Sequence, residues 1–328
     1  MPAKRPRRSG LTGIELVMAV NAIQTLLNKS REEQALNKGG QELEDAPDDE
    51  TELQQLEGIL KMLQSRVDGP QSYSFSSMTQ DHLDKMGISA SGLLELKPDA
   101  ISRGVEKDVL GADSLWSSDM LCRHLRFLDG LVPRRNEAAA RLWINAFFYR
   151  VAVMIPTGSN VVLSVEQVVP SVTTSDTSAH TLSGYIDWTA MLMPPKEAHI
   201  FLRNPALQHL RNVMSALFVS EAKGPDQLLE NHVQQTIGEM LACARTTGKT
   251  IIRGVLTNGR AWIFLVLKLN ENGGGSYLQS DQLHISSRVL PQIEKEAVSL
   301  ISAILSYWLE HSHEELNVED DYFTILDS

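Results

Sequence analysis

The most chemically suggestive stretch of this sequence is an apolar run, Leu217 to Val219, followed by Glu221 and Lys223. In an extended strand residues i and i+2 point to the same face, so Leu217, Val219, Glu221 and Lys223 share one side and Ala222 faces the other. Burying a carboxylate and an ammonium beside an apolar run is costly unless a partner such as a metal ion or an anionic substrate compensates. A second acid, Asp187, stands in the preceding strand-like segment between Ile186 and Trp188. If the two segments are sheet neighbours, Asp187 meets Glu221 and forms a two-carboxylate site for a hard cation such as Mg²⁺.

The surrounding pattern supplies the elements that would carry these residues. Asn136 and Glu137 open a helix through Arg150 whose broad apolar face holds Ala140, Trp143, Ile144, Phe147 and Phe148. Strand-like segments follow at 160–169 and 181–193, then a short inserted helix is expected within 204–215, and a third strand at 216–223 ends at Gly224 and Pro225. A helix carrying Leu229, Val233, Ile237, Met240 and Ala244 on one face stops at Gly248. Two strands, 250–256 and 260–269, flank Asn258 and Gly259, a strong hairpin signal. Residues 273–275 are a loose glycine turn, 277–285 one more strand, and 290–308 a long amphipathic helix. This order predicts an α/β domain with a mixed central sheet flanked by helices. Trp143, Trp188 and Trp262 read as core rather than as base-stacking platforms.

The part before it reads as helical. Thr12 and Glu15 have the spacing of a capping box ahead of an apolar stripe, Ile14 to Leu27, which should end by Gly39 and Gly40. Leu53, Leu56, Leu60, Leu63 and Val67 make a heptad seam, either a helix packing back on the first as a hairpin or a dimerisation zipper. Residues 69–81 look like a polar linker and 82–133 like a weakly helical approach segment. The expected organisation is therefore 1–10 basic tail, 11–68 helical hairpin or short coiled coil, 69–133 linker and approach, 134–310 main domain, and 311–328 acidic tail.

Charge and composition narrow the function. The net charge of −11 is concentrated in two places, −8 over residues 31–60 and −7 over residues 309–328, while Lys4, Arg5, Arg7 and Arg8 make the start basic. The remainder is balanced, which leaves room for a local basic groove but argues against strong non-specific DNA affinity. The basic cluster reads as a nuclear-import signal or as a solvated terminus. No apolar stretch is long enough for a membrane span, no cleavable secretory leader is evident, and two cysteines, Cys122 and Cys243, are expected as free thiols of an intracellular protein. The nine histidines show no zinc spacing, His311 and His313 being expected at the surface, and neither a nucleophile elbow nor a phosphate-binding Gly-Lys-Ser/Thr loop is present.

Asp187, then Glu221-x-Lys223 at the end of the next strand, then a helix with Gln234 and Gln235, resembles the PD-(D/E)XK nuclease superfamily. The stretch from Glu221 through Trp262, including residues 235–240 and 253–262, is similar to fungal proteins carrying that nuclease-like domain, and the resemblance covers roughly residues 134–310. It implies a restriction-endonuclease-like core and a metal-dependent endonuclease or phosphodiesterase acting on DNA or RNA. It further implies that Asp187, Glu221 and the Ala222 carbonyl hold Mg²⁺ or Mn²⁺, that Lys223 orients water and offsets charge developing on phosphorus, and that Glu137 lies near the metal. Gln235, or else Gln234, would brace Lys223 or touch a phosphate. Ile186 stands where the family has Pro, and the interval of 34 positions between Asp187 and Glu221 requires an insertion between adjacent strands. The residues taken alone leave plainer readings open: an ion pair at a strand end, an acid favoured by a helix dipole at Glu137, and a solvated helix edge at Gln234 and Gln235. The alternative function is a catalytically silent nuclease-like fold that binds protein partners, or itself, through the N-terminal helices.

Overall fold

The computed structural model describes residues 13–37, 56–60, 63, 71–133, 136–156, 158–174, 180–207, 216–224, 227–271, 273–286, 292–317, 319 and 321–327. The chain divides into two compact units, Met1–Gln71 and Ser72–Ser328. In the first, helix α1 spans Gly13–Asn37, with Val20 and Leu27 buried, and the stop expected by Gly39 and Gly40 lies outside the described residues. Residues 56–60 are helical, and the Arg31 guanidinium lies 2.5 Å from Glu57, so this turn runs beside α1. The basic cluster, the acidic segment 42–50 and the two ends of the heptad seam, Leu53 and Val67, lie outside the described residues, while Leu56, Leu60 and Leu63 are helical and half-buried.

The second unit is one mixed sheet between two layers of helices. Its strands are β1 (Gln71–Ser74), β2 (Ile88–Leu96), β3 (Asn160–Thr173), β4 (His180–Met193), β5 (Ala216–Ala222), β6 (Ile251–Thr257), β7 (Ala261–Leu269), β8 (Gly275–Ser280), β9 (Leu283–His284) and β10 (Phe323–Asp327). The order across the sheet is β1-β4-β5-β6-β7-β8-β2-β10, with β3 on β4 and β9 on β7. β5 runs parallel to β6, and β3, β4 and β5 are antiparallel in turn. This is the α/β architecture with a mixed sheet that the sequence pattern predicts.

Strands β6 and β7 show why their sequences are almost continuously apolar. Trp262, Phe264 and Val266 enter one core cluster while Ile263, Leu265 and Leu267 enter the other, so both faces are covered. Each such fully buried side chain contributes about 1.5–3 kcal/mol. The first layer comprises α3 (Ala100–Glu106), α4 (Ser118–Leu131), α5 (Glu137–Met154) and α8 (Lys295–Glu310); the second comprises α2 (Gln80–Lys85) and α7 (Val233–Thr247). The three tryptophans read as core are buried, as are the free thiols Cys122 and Cys243.

A helix not expected from the sequence, α6 (Pro195–Arg203), follows β4: Pro195 supplies a favourable first turn and Pro205 bars continuation; the inserted helix expected within 204–215 falls mostly on residues 208–215, which lie outside the described set. Three sequence expectations are corrected. Residues 71–81 are not a linker, since β1 joins the sheet and Phe75 and Met78 are buried anchors between exposed serines. The approach segment contributes β2, which lies inside the sheet between β8 and β10, so the compact unit starts at Ser72 rather than near 134. The acidic end is not a free tail either: β10 pairs antiparallel with β2, and Asp321 is buried against Arg253 at 2.6 Å. Among the described residues no helix is long and apolar enough to cross a membrane.

Candidate active site

The site forms where β5 ends. The β4–β5 pairing runs as far as Trp188 with Ser220, and just beyond it Asp187 Oδ2 accepts from the Ala222 N–H at 2.9 Å, which brings Asp187 to the end of β5 beside Glu221. Ala222 belongs to the core cluster on the α5 face, whereas Glu221 meets Gln235 of α7 on the other, as i, i+2 alternation requires. The Lys223 N–H donates to the Thr257 carbonyl at 2.9 Å and so carries the β5–β6 pairing one residue past the strand. That extra rung fixes the direction of the Lys223 side chain.

Glu221 and Lys223 are both buried, and the ammonium donates to Glu221 Oε1 at 2.6 Å. Gln235 Nε2 donates to the same oxygen at 2.5 Å and to Glu239 Oε1 at 3.0 Å, tying two carboxyl groups together. Gln235 and Glu239 are one helical turn apart, so both face the strand end. Gln235, rather than Gln234, is therefore the glutamine that reaches the acid, and it braces Glu221 instead of Lys223. Asp187 is half-buried: its Oδ2 accepts from the Ala222 N–H at 2.9 Å and its Oδ1 from Arg141 Nη2 at 2.6 Å.

Arg141 of α5 collects three acids. Besides Asp187 it donates to Glu137 Oε1 and to Glu166 Oε1, each at 2.8 Å. Glu137 thus stands at the start of α5, behind the Asn136 cap, linked to Asp187 through the guanidinium. Glu166 lies across β3 from Asp187 and has φ 53, the one positive φ outside glycine among the described residues. Side chains of that conformation are uncommon, and it marks a local break in the β3 ladder that turns Glu166 toward Arg141.

The acids outnumber the cations, and their ionisation reflects it. Burial, reinforced by the neighbouring Asp187 charge, pushes Glu221 up to about 7 despite Lys223. Burial, with Glu221 beside it, raises Glu239 well above the usual carboxylate range. Asp187 is also raised by burial, against the opposing pull of the Ala222 N–H and Arg141. His232, on the turn before α7, is held below its ordinary value by burial and by the Lys223 charge.

Asp187, Glu221 and the Ala222 carbonyl offer only oxygen donors, which suits Mg²⁺ or Mn²⁺. Glu239 Oε2 is buried without a hydrogen-bond partner, a further sign of uncompensated acid beside Glu221. Among the described residues no group of three or more His, Cys, Asp or Glu is arranged to hold a metal; the set expected from sequence asks for only two carboxylates and a carbonyl. The residues therefore fit such an ion in donor type.

Sequence reasoning missed Arg141, Glu166 and Glu239. Two of them had a signal: Glu137/Arg141 and Gln235/Glu239 are i, i+4 pairs, and Glu239 is the one acid of its helix, set among Ile237, Met240 and Leu241. Glu166 had none, because its role depends on the broken β3 ladder. Scanned against protein-family models and searched against curated proteins, the chain gives no match.

Proposed function

We propose that Asp187, Glu221 and Lys223 form the active site of a divalent-cation-dependent phosphodiesterase acting on DNA or RNA. The observation that carries this reading is the convergence at the end of β5 of Asp187, held by the Ala222 N–H at 2.9 Å, with Glu221 and the buried Lys223 ammonium 2.6 Å from it. A buried ion pair is a poor source of stability compared with apolar residues of the same volume, so its presence at a strand end speaks for use rather than for folding. The resemblance to the PD-(D/E)XK nucleases rests on the same residues.

In this reading Mg²⁺ or Mn²⁺, held by Asp187, Glu221 and the Ala222 carbonyl, supplies Lewis-acid polarisation of the phosphodiester and acidifies water. The chain does the rest. Gln235 holds the Glu221 carboxylate by one oxygen, the Ala222 N–H orients Asp187, and Lys223 both places the attacking water and offsets charge developing on phosphorus. A nucleic acid is the partner this chemistry requires, and an intracellular setting, with nuclear import through Lys4 to Arg8, is consistent with it.

One observation favours a second reading, a catalytically silent fold that binds protein. Both cations at the site are engaged by acids of the same chain, Lys223 by Glu221 and Arg141 by Glu137, Glu166 and Asp187, whereas a polyanion needs cations free to meet its phosphates. One experiment separates the two: cleavage of single-stranded, duplex and branched DNA and RNA with Mg²⁺ or Mn²⁺, comparing wild type, Glu221→Gln and Lys223→Ala. The nuclease reading expects wild-type cutting that drops by about 10²-fold or more in either variant while each variant still melts cooperatively above the assay temperature. No cutting of any substrate, by protein that melts cooperatively, sinks it in favour of the binding module.

A further inference from the structure

We infer that Arg141 is a built-in counter-ion of the acid site, one that must leave Asp187 before a divalent cation can be held there. The inference rests on the reading of Asp187 and Glu221 as a cation site and adds to it a means of control. Its basis is geometric. One guanidinium is shared among carboxylates from three elements, Glu137 of α5, Glu166 of β3 and Asp187 of β4, at 2.8, 2.8 and 2.6 Å. With Oδ2 of Asp187 taken by the Ala222 N–H, both oxygens of this acid are occupied by donors of the chain itself.

The three pairs are not equal, and the inequality gives the guanidinium somewhere to go. The side chains of Glu137 and Glu166 are 42% and 63% exposed, and Asp187 only 13%. Exposed pairs are weak and readily remade, so Arg141 can pivot outward onto Glu137 and Glu166 and release Asp187. The guanidinium carbon lies 5.5 Å from the centre of the Trp188 ring, a contact that the outward pivot gives up and that adds to the hold on the inward position. Glu166 keeps its positive φ, an unfavourable conformation for a residue with a side chain, and in it reaches the outer face of Arg141. A dication at Asp187 and a guanidinium on the same oxygen repel each other, so binding of one opposes the other.

The test is Mn²⁺ affinity, measured by calorimetry on the full chain, for wild type, Arg141→Gln, Arg141→Lys and Arg141→Ala, with Glu221→Gln added to each to verify that the ion titrated is the one at this site. Arg141→Gln is expected to bind Mn²⁺ about tenfold tighter than wild type or more. Arg141→Lys, which keeps the charge but cannot fork to three acids, should fall between them and carries the test if the glutamine variant does not fold. Millimolar guanidinium ion should weaken Mn²⁺ binding to Arg141→Ala and leave wild type unaffected, an effect that loss of a purely structural contact does not produce. Equal or weaker binding by the Arg141 variants, with wild type still binding through Glu221, overturns the counter-ion role and leaves the cation site standing. Absence of binding in every form removes the cation site and the inference together.

Discussion

Glu221 is ionised in the folded protein only against resistance. Burial and the Asp187 charge raise its carboxyl from the ordinary 4.5 to about 7, so the folded state holds a proton that the unfolded chain has already released over that interval. The stabilisation is therefore complete below about 4.5 and is lost as pH rises to about 7, above which both states are ionised. Glu221→Gln does not titrate and should lose less stability than wild type between pH 5 and pH 8, by on the order of 2 kcal/mol. Thermal melts of both proteins at the two pH values measure it, and identical changes would mean that the carboxyl is not raised. At this scale the sequence was informative about Asp187, Glu221, Lys223 and Gln235 because strand alternation and a helix after the strand bring them together. Arg141 was hidden for a physical reason: an arginine four residues from a glutamate on a helix is an ordinary surface pair until β3 and β4 deliver two further acids to it.

Elements of the site are held by backbone features as much as by side chains. Helix α7 ends at Gly248, φ 70, where the Lys249 N–H closes the last turn on the Ala244 carbonyl. The β6–β7 hairpin turns at Gly259, φ 81, where an added Cβ would come 2.5 Å from Trp143 Cβ. No atom lies within 4 Å of a Cβ at Gly248. Gly248→Ala is thus expected to cost only the left-handed backbone penalty, about 1 kcal/mol, and Gly259→Ala at least about 1 kcal/mol more for the contact with α5. Urea unfolding of the two variants decides it, and equal losses would show that Trp143 gives way freely. A third substitution, Asn136→Ala, removes the acceptor for the Ala139 N–H at the start of α5 and should cost about 1 kcal/mol in the same assay. Between Glu137 and Glu310 the elements, α6 excepted, were legible because their apolar residues follow either a period of 3.6 or a continuous doubly covered run. β2 was not: Ser89, Ala90, Ser91 and Gly92 lack both β-branching and alternation, and the strand exists because β8 and β10 pair with it on either side.

Across the whole molecule, the last described residues are fastened by a fully buried charge pair. Asp321 takes Arg253 at 2.6 Å and the Trp308 indole N–H at 3.0 Å, linking β6, α8 and the start of β10. Asp321→Ala would strand the Arg253 guanidinium and is expected to destabilise by about 3–5 kcal/mol, while Arg253→Met combined with Asp321→Leu should recover much of the loss. Denaturant titration of the single and double variants tests this; additive losses would deny the pairing. The acidic composition of 309–328 concealed the arrangement, because seven acids lie around or within the short segment, Phe323 to Asp327, that forms the strand. The position of β2 has a consequence for synthesis. Its partners β8 and β10 follow it by roughly 190 and 230 residues, so a nascent chain leaving the ribosome carries β2 with both edges open while nearly all the rest is made. Such long-range pairing slows folding and leaves a hydrophobic edge open to misassociation, which makes this strand the segment where chaperone engagement during translation should concentrate.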